Sequence, residues 1–175
     1  MNKICTLLFL TVIIGRDLNQ SLQIAGENSL ELKKAMSSVP LNQSKGMKWL
    51  VTHMPAEDLK NVKAEFLLLN SNIAYQAREN TKWGQEIPEN LFFSYVLPYA
   101  NLNETVESWR IDFFNKFYPM VKDMQSAYDA VVFLNQKIFD ELGVIYSTKR
   151  PKADQSPYES INAGMASCTG LSILL

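Results

Sequence analysis

Val62, Phe66, Leu69, Ile73 and Ala77 follow one another at steps of four, three, four and four residues, with Lys60, Lys63, Glu65 and Arg78 off that line. On a helix this spacing gathers the apolar side chains into one stripe, whereas on a strand it would scatter them over both faces. The stripe predicts a helix ending near Asn80, followed by a loop over residues 81–86. Upstream, Leu30, Lys33, Lys34 and Met36 predict a short helix stopped near Pro40. Met47, Leu50, Val51 and Met54 predict another that Pro55 ends, since proline lacks the N–H a continuing helix needs. Further along, Met124, Ala127, Tyr128, Val131, Leu134, Ile138 and Leu142 form the buried stripe of a long helix over 123–142, closed by Gly143 at the C′ position. Only Val144, Ile145 and Tyr146 read as a short strand or extended segment, so the expected fold class is mainly α.

Residues 83–118 are dense in aromatics. Pro88 starts a short helix carrying Leu91, Phe92, Tyr95 and Val96 that ends before Pro98. Trp109, Phe113 and Phe117, at steps of four, mark a second helix closed by Pro119. Such a cluster either fills a helical core or lines a groove for a peptide or glycan.

Charge excludes one class of partner. Lys and Arg number 17 against 18 Asp and Glu, and the basic residues gather only at Lys149, Arg150 and Lys152, so no field points to nucleic acid. At the start, Lys3 precedes an apolar run over 4–14 broken only by Thr6 and Thr11. A membrane-spanning helix needs about twenty apolar residues, so this run suits a secretory leader and gives no integral span. The leader is assigned to residues 1–25, with cleavage after Gly15, Ser21 or Ala25, and the mature protein to the periplasm or extracellular space. Removing it removes Cys5 and leaves Cys168 as the only cysteine. An unpaired thiol in an oxidising compartment is a liability unless it has a use. His53 is the only histidine, and its position at a helix end after Trp49 suits a surface or capping role. One histidine and one mature cysteine supply too few ligands for a zinc-type metal site, and nothing in the sequence calls for a cofactor.

The chemistry-bearing stretch is the last. Ser156, Pro157 and Glu159 form a capping box, with Ser at N-cap, Pro at N1 and Glu at N3 of a short helix that Gly164 ends. Ser167 then caps a further helix that begins at Cys168 and runs into Leu171, Ile173, Leu174 and Leu175. A cysteine in the first turn of a helix sits among unpaired N–H groups at the positive end of the macrodipole, which favours the thiolate. The same N–H groups, that of Cys168 included, can receive an oxyanion. Tyr158 and the 149–152 basics, on the polar loop before this turn and just after it, are the candidate substrate contacts.

Ser-Pro-Tyr-Glu at 156–159 followed by Ile-Asn-Ala-Gly-Met-Ala-Ser-Cys-Thr-Gly-Leu-Ser-Ile-Leu-Leu at 161–175 resembles the opening of a transglutaminase-like core. The resemblance implies a papain-like α+β fold with a Cys-His-Asp triad, and it puts Cys168 on the nucleophile. It also implies acyl transfer, or amide or peptide hydrolysis, through a thioester on a peptide or protein substrate. The histidine and the acid are expected downstream of the nucleophile, beyond Leu175. The reading is therefore a leader (1–25), a helical aromatic-rich region (27–122) and the truncated start of a transglutaminase-like core (123–175). A chain of this extent should not turn over by itself. The alternative is a non-catalytic exported helical module that binds a peptide or glycan, with Cys168 a buried residue.

Overall fold

The computed structural model describes residues 16–100 and 103–175. The apolar run over 4–14 lies outside them. The fold is mainly helical, with one pair of two-residue strands among the described residues.

The first helices in order are α1 (Leu18–Ala25), α2 (Ser29–Ser38), α3 (Ser44–His53), α4 (Ala56–Asn61) and α5 (Ala64–Glu79). The first of them overlaps the stretch assigned to the leader. Its N-terminus carries a capping box in which Asp17 accepts from the first-turn backbone and the Gln20 side chain accepts from Asp17 N–H. Val39 and Met54 follow α2 and α3 in extended conformation, each directly before a proline, as the steric demand of proline on its predecessor requires. Leu32, Met47, Val51, Leu59 and Leu67 are fully buried at the centre of this bundle.

The stripe on α5 is turned from the one expected. Ile73 is buried and Phe66 and Ala77 are half-buried, but Leu69 is 40 % exposed while Leu67, Ala74 and Tyr75 go inside. The reason is that α5 packs both on α2 and α3 and on the later helix over Trp109–Val121. It therefore also buries Asn70, whose amide donates to the Phe66 carbonyl at 2.9 Å, and Ser71, whose hydroxyl donates to Gln43 Oε1 at 3.2 Å. Gly46 on α3 leaves room for the Tyr75 ring, because a Cβ there would sit 2.5 Å from the Tyr75 hydroxyl.

The segment expected as a loop over 81–86 contains a short helix, α6 (Lys82–Gln85), because Thr81 caps it by accepting from Gly84 N–H at 3.1 Å. Next, α7 (Glu89–Leu91) continues as a π-turn over Phe92–Val96. Phe92 and Phe93 are buried there, and Phe92 meets Tyr75 edge-to-face at 4.9 Å.

Helix α8 (Trp109–Val121) runs through Pro119, which does not close it. Pro119 cannot donate to the Asn115 carbonyl one turn back, yet the helix continues past it, and Lys122 N–H still bonds the Tyr118 carbonyl. The long helix, α9, spans Ala127–Leu142 and starts later than expected because Ser126 caps it by accepting from Asp129 N–H. Of its expected stripe only Ile138 is buried, with Ala130 beside it; Tyr128 is 76 % and Val131 56 % exposed. The physical reason is that α9 packs on α8 and on the last helix, Cys168–Leu174, with Phe139 and Leu142 of its C-terminal half in the smaller core. Gly143 closes it with φ 66°, in the left-handed region that suits glycine.

Strand β1 (Ile145–Tyr146) pairs in parallel with β2 (Met165–Ala166), Ile145 opposite Met165. Between them lie the 147–155 loop and α10 (Pro157–Ala163), and after β2 comes α11 (Cys168–Leu174). Val144, Ala166 and Leu174 form a second, smaller core with Phe113, Phe139, Leu142, Ile161 and Leu171 against it.

Candidate functional site around Cys168

The turn carrying Cys168 is built as the sequence predicts. Ser156 accepts from Glu159 N–H at 3.2 Å, and Glu159 accepts in return from Ser156 N–H at 2.8 Å. Gly164 ends α10 at φ 61°, which turns the chain into β2. Ser167 caps α11: its hydroxyl accepts from Gly170 N–H at 3.0 Å and donates to the Ala153 carbonyl of the preceding loop. One side chain thus ties α11 to the loop before α10.

Beneath the turn the packing is close. Gln155 is buried and donates to the Met165 carbonyl at 3.1 Å and to the Glu159 carbonyl at 3.3 Å. Gly170 faces Ala166, and a Cβ on it would lie 3.0 Å from the Ala166 methyl and 3.4 Å from Ser160 Oγ. Only glycine lets α11 approach β2 and α10 this closely.

Cys168 itself is the first residue of α11 and is exposed. No hydrogen bond among the described residues reaches its thiol. Gly170 N–H is used by the Ser167 hydroxyl and Leu171 N–H by the Ser167 carbonyl at 2.9 Å, whereas the N–H groups of Cys168 and Thr169 have no partner among the described residues. An accessible thiol therefore stands beside two adjacent donors, the arrangement a tetrahedral oxyanion needs.

The other charged groups near the turn are already engaged. Glu159 binds Lys152 at 2.9 Å and accepts from the Thr105 hydroxyl at 3.1 Å. Partial burial works to raise the Glu159 carboxyl, but the bonds from Ser156 N–H, Lys152 and Thr105 outweigh it and hold the group below the usual range. Tyr158, a candidate substrate contact, donates its hydroxyl to Asp112 on α8, and its backbone N–H donates to Glu107 at 3.3 Å. The bond to Asp112 pushes the phenol up to about 12. Lys149 is exposed, and Arg150 donates to the Thr148 carbonyl within its own loop.

His53 is not brought to Cys168. Its ring stacks on Trp49 at 4.0 Å and 10°, and Nδ1 lies 2.7 Å from the Trp49 carbonyl. A carbonyl can only accept, so Nδ1 carries the proton and the ring is held within its own helix. Among the described residues no group of three or more His, Cys, Asp or Glu side chains is placed to hold a metal ion, and no helix is long and apolar enough to cross a membrane.

Behind α11 lies a cavity of about 540 Å³ between α5, α8, α9 and α11. Trp109, Phe113, Phe114 and Phe117 of the aromatic region line it, while Phe92, Phe93 and Tyr99 are core. Arg110 also lines it and is only 8 % exposed. Sequence reasoning did not single Arg110 out, since an arginine in an aromatic-rich helix reads as a solvated charge. Its neighbours in the stripe, Trp109 and Phe113, were the available signal.

No family model, no curated protein and no solved structure matches this chain.

Proposed function

We propose that Cys168 is the nucleophile of an exported protein that performs thiol-dependent acyl transfer, or amide or peptide hydrolysis, in the manner of transglutaminase-like proteins. The observation that supports this most is the exposed thiol at the first residue of the capped helix α11, next to N–H groups of Cys168 and Thr169 that have no partner among the described residues. In the reaction the thiolate attacks the substrate carbonyl carbon. A C–S bond forms and the oxyanion is received by those N–H groups. Collapse breaks the C–N bond, the amine leaves with a proton, and water or a second amine later releases the acyl group from the thioester. The proton must be handled by a general base. His53 is held by Trp49, so we do not assign it as that base.

An activated ester separates the two halves of this chemistry. The p-nitrophenolate of p-nitrophenyl acetate leaves without needing a proton, so the thiol and the oxyanion donors suffice for one acylation. We expect one acetyl group on Cys168 by intact and peptide mass spectrometry, removable with neutral hydroxylamine, absent in Cys168→Ala, and without sustained turnover. If iodoacetamide labels Cys168 while no acetyl thioester forms, the thiol is merely accessible and the proposal fails.

A further inference from the structure

Residues 104–108, the strap that leads into α8, bond to the start of α10 far along the chain. Glu107 accepts from Tyr158 N–H at 3.3 Å, across 51 positions. Thr105 donates to Glu159 at 3.1 Å, beside the Lys152 ion pair at 2.9 Å. The Tyr158 hydroxyl donates to Asp112 in the first turn of α8. Helix α10 has only seven residues, so the N–H groups of its first turn, which have no partner within the helix, are a large share of its backbone donors. Ser156 satisfies one of them, and Glu107 satisfies another from outside.

The position of α10 decides the position of α11. Gln155 donates both to the Glu159 carbonyl in α10 and to the Met165 carbonyl in β2. Gly170 of α11 passes so near to Ala166 and Ser160 that a Cβ would lie 3.0 Å and 3.4 Å from them. Close-packed contacts of this kind transmit a displacement, since there is no free space to absorb it. A shift of α10 therefore moves the start of α11, and Cys168 with it.

We propose that the 104–108 strap holds the Cys168 turn in its acyl-accepting geometry, with Glu107 and Tyr158 as positioning residues for the nucleophile. This rests on the acyl chemistry proposed above. What the strap sets is the placement of the thiol and of the Cys168 and Thr169 N–H groups relative to a bound carbonyl. A misplacement of about 1 Å there costs roughly a hundredfold in rate. The stretch over 123–175 that resembles a transglutaminase-like core is then not self-sufficient, because the aromatic-rich region before it supplies the strap and, through Asp112, its anchor on α8. Tyr158 has its hydroxyl and its N–H committed to this tie.

Two reagents read this geometry at the same sulfur. With p-nitrophenyl acetate the thiolate attacks the acetyl carbon and an oxyanion forms on the carbonyl oxygen. The C–S bond is made, the C–O bond breaks and p-nitrophenolate leaves. With iodoacetamide the sulfur displaces iodide from carbon, and no oxyanion arises. The measurement is the ratio of the two second-order rate constants at Cys168, followed by mass spectrometry below the thermal midpoint of every variant. Partial unfolding changes access for both reagents alike, whereas misplaced donors slow acetylation alone. Glu107→Ala should lower the ratio of acetylation to alkylation at least about tenfold, part of the cost of a full misplacement. Glu107→Gln keeps a side-chain oxygen for Tyr158 N–H and should restore the wild-type ratio. Tyr158→Phe removes only the hydroxyl and should lower the ratio too, and it decides the matter if Glu107→Ala does not fold. Unchanged ratios in these two variants, or a ratio lowered as far by Glu107→Gln as by Glu107→Ala, overturn the proposal while leaving Cys168 its acylation. Absence of any acetyl thioester in the wild type overturns the acyl reading itself, and the strap's role with it.

Discussion

Two leucines on α5, two residues apart, test the rotation of the helix around which the larger core is built. Leu67 has no exposed surface and Leu69 is 40 % exposed. Leu67→Ala removes atoms surrounded on all sides, so it loses the transfer free energy and leaves a cavity, a cost of about 2–5 kcal/mol. Leu69→Ala removes atoms already partly in water and leaves an open dent. Full burial of a leucine stabilises by about 1.5–3 kcal/mol, and little more than half of this one is covered. Allowing for the retained Cβ, its loss should cost about 1 kcal/mol or less. Alanine's slightly better helix propensity reduces that by a further tenth or two, roughly. With a urea m-value of about 2 kcal/mol/M, Leu67→Ala should lower the midpoint by about 1–2.5 M and Leu69→Ala by less than about 0.5 M, with m unchanged. The assay is equilibrium urea unfolding followed by circular dichroism at 222 nm, the usual helix band at roughly 3.6 residues per turn. Equal shifts, or a larger one for Leu69→Ala, would mean that the sequence stripe through Leu69 faces the core and that the rotation described above is wrong.

Glu159 gives the Cys168 turn a pH dependence. Its folded pKa is depressed, so its contribution is present above the unfolded glutamate value of about 4.3 and is lost as pH falls through the folded value. Glu159→Gln should therefore flatten the acid side of a thermal-midpoint profile, and an unchanged acid limb would count against the capping box and Lys152 as its cause. Gly170→Ala gains roughly 1 kcal/mol of helix propensity but meets the Ala166 methyl at 3.0 Å, an overpacking cost of about 1–3 kcal/mol. We expect a lowered midpoint that is restored when Ala166→Gly is added, and a raised midpoint for the single variant would refute the close approach. Cleavage after Ser21 or Ala25 would cut α1, where both residues are buried. N-terminal sequencing of protein from its native host should accordingly begin at Arg16, and an intact Met1 would remove the leader reading.

Local signals were the legible ones. Proline and glycine punctuation and side-chain caps act over three or four residues, so Ser156 with Glu159, Ser167, Gly143 and Gly164 stand where the sequence puts them. Faces were legible only where a helix has one partner. On α5, with neighbours on two sides, a five-residue apolar stripe does not report that Asn70 and Ser71 are also inward, because their burial depends on Gln43 and the Phe66 carbonyl. On α9 the stripe is real as a pattern, yet Tyr128 and Val131 have nothing packed over them. Helix α1 went unread because its residues were assigned to the leader, although Asp17 followed three positions later by Gln20 is itself a start signal. At the site, Cys168 was legible from its cap, but Arg110 was not, since burial of a charge is a property of tertiary packing and not of any spacing.

The geometry at Cys168 divides positioning from proton transfer. The contacts that fix the thiol directly are local: the Ser167 hydroxyl bridging Ala153 and Gly170, the Gln155 amide on the Met165 carbonyl, and the absent side chain of Gly170 against Ala166. None of these contacts involves His53, whose ring belongs to α3 and Trp49. For the nucleophile proposed above, this means orientation beside the proposed oxyanion donors before any base arrives. The base then needs only to reach an exposed sulfur, without having to order the turn as well. Such an arrangement makes stoichiometric acylation and catalytic turnover separable properties. The turn residues should govern the first, and the general base the second. A Ser167→Ala change should therefore slow acetylation of Cys168 by p-nitrophenyl acetate while His53→Ala leaves it unaltered. The reverse pattern would move the chemistry from the capped turn to the histidine.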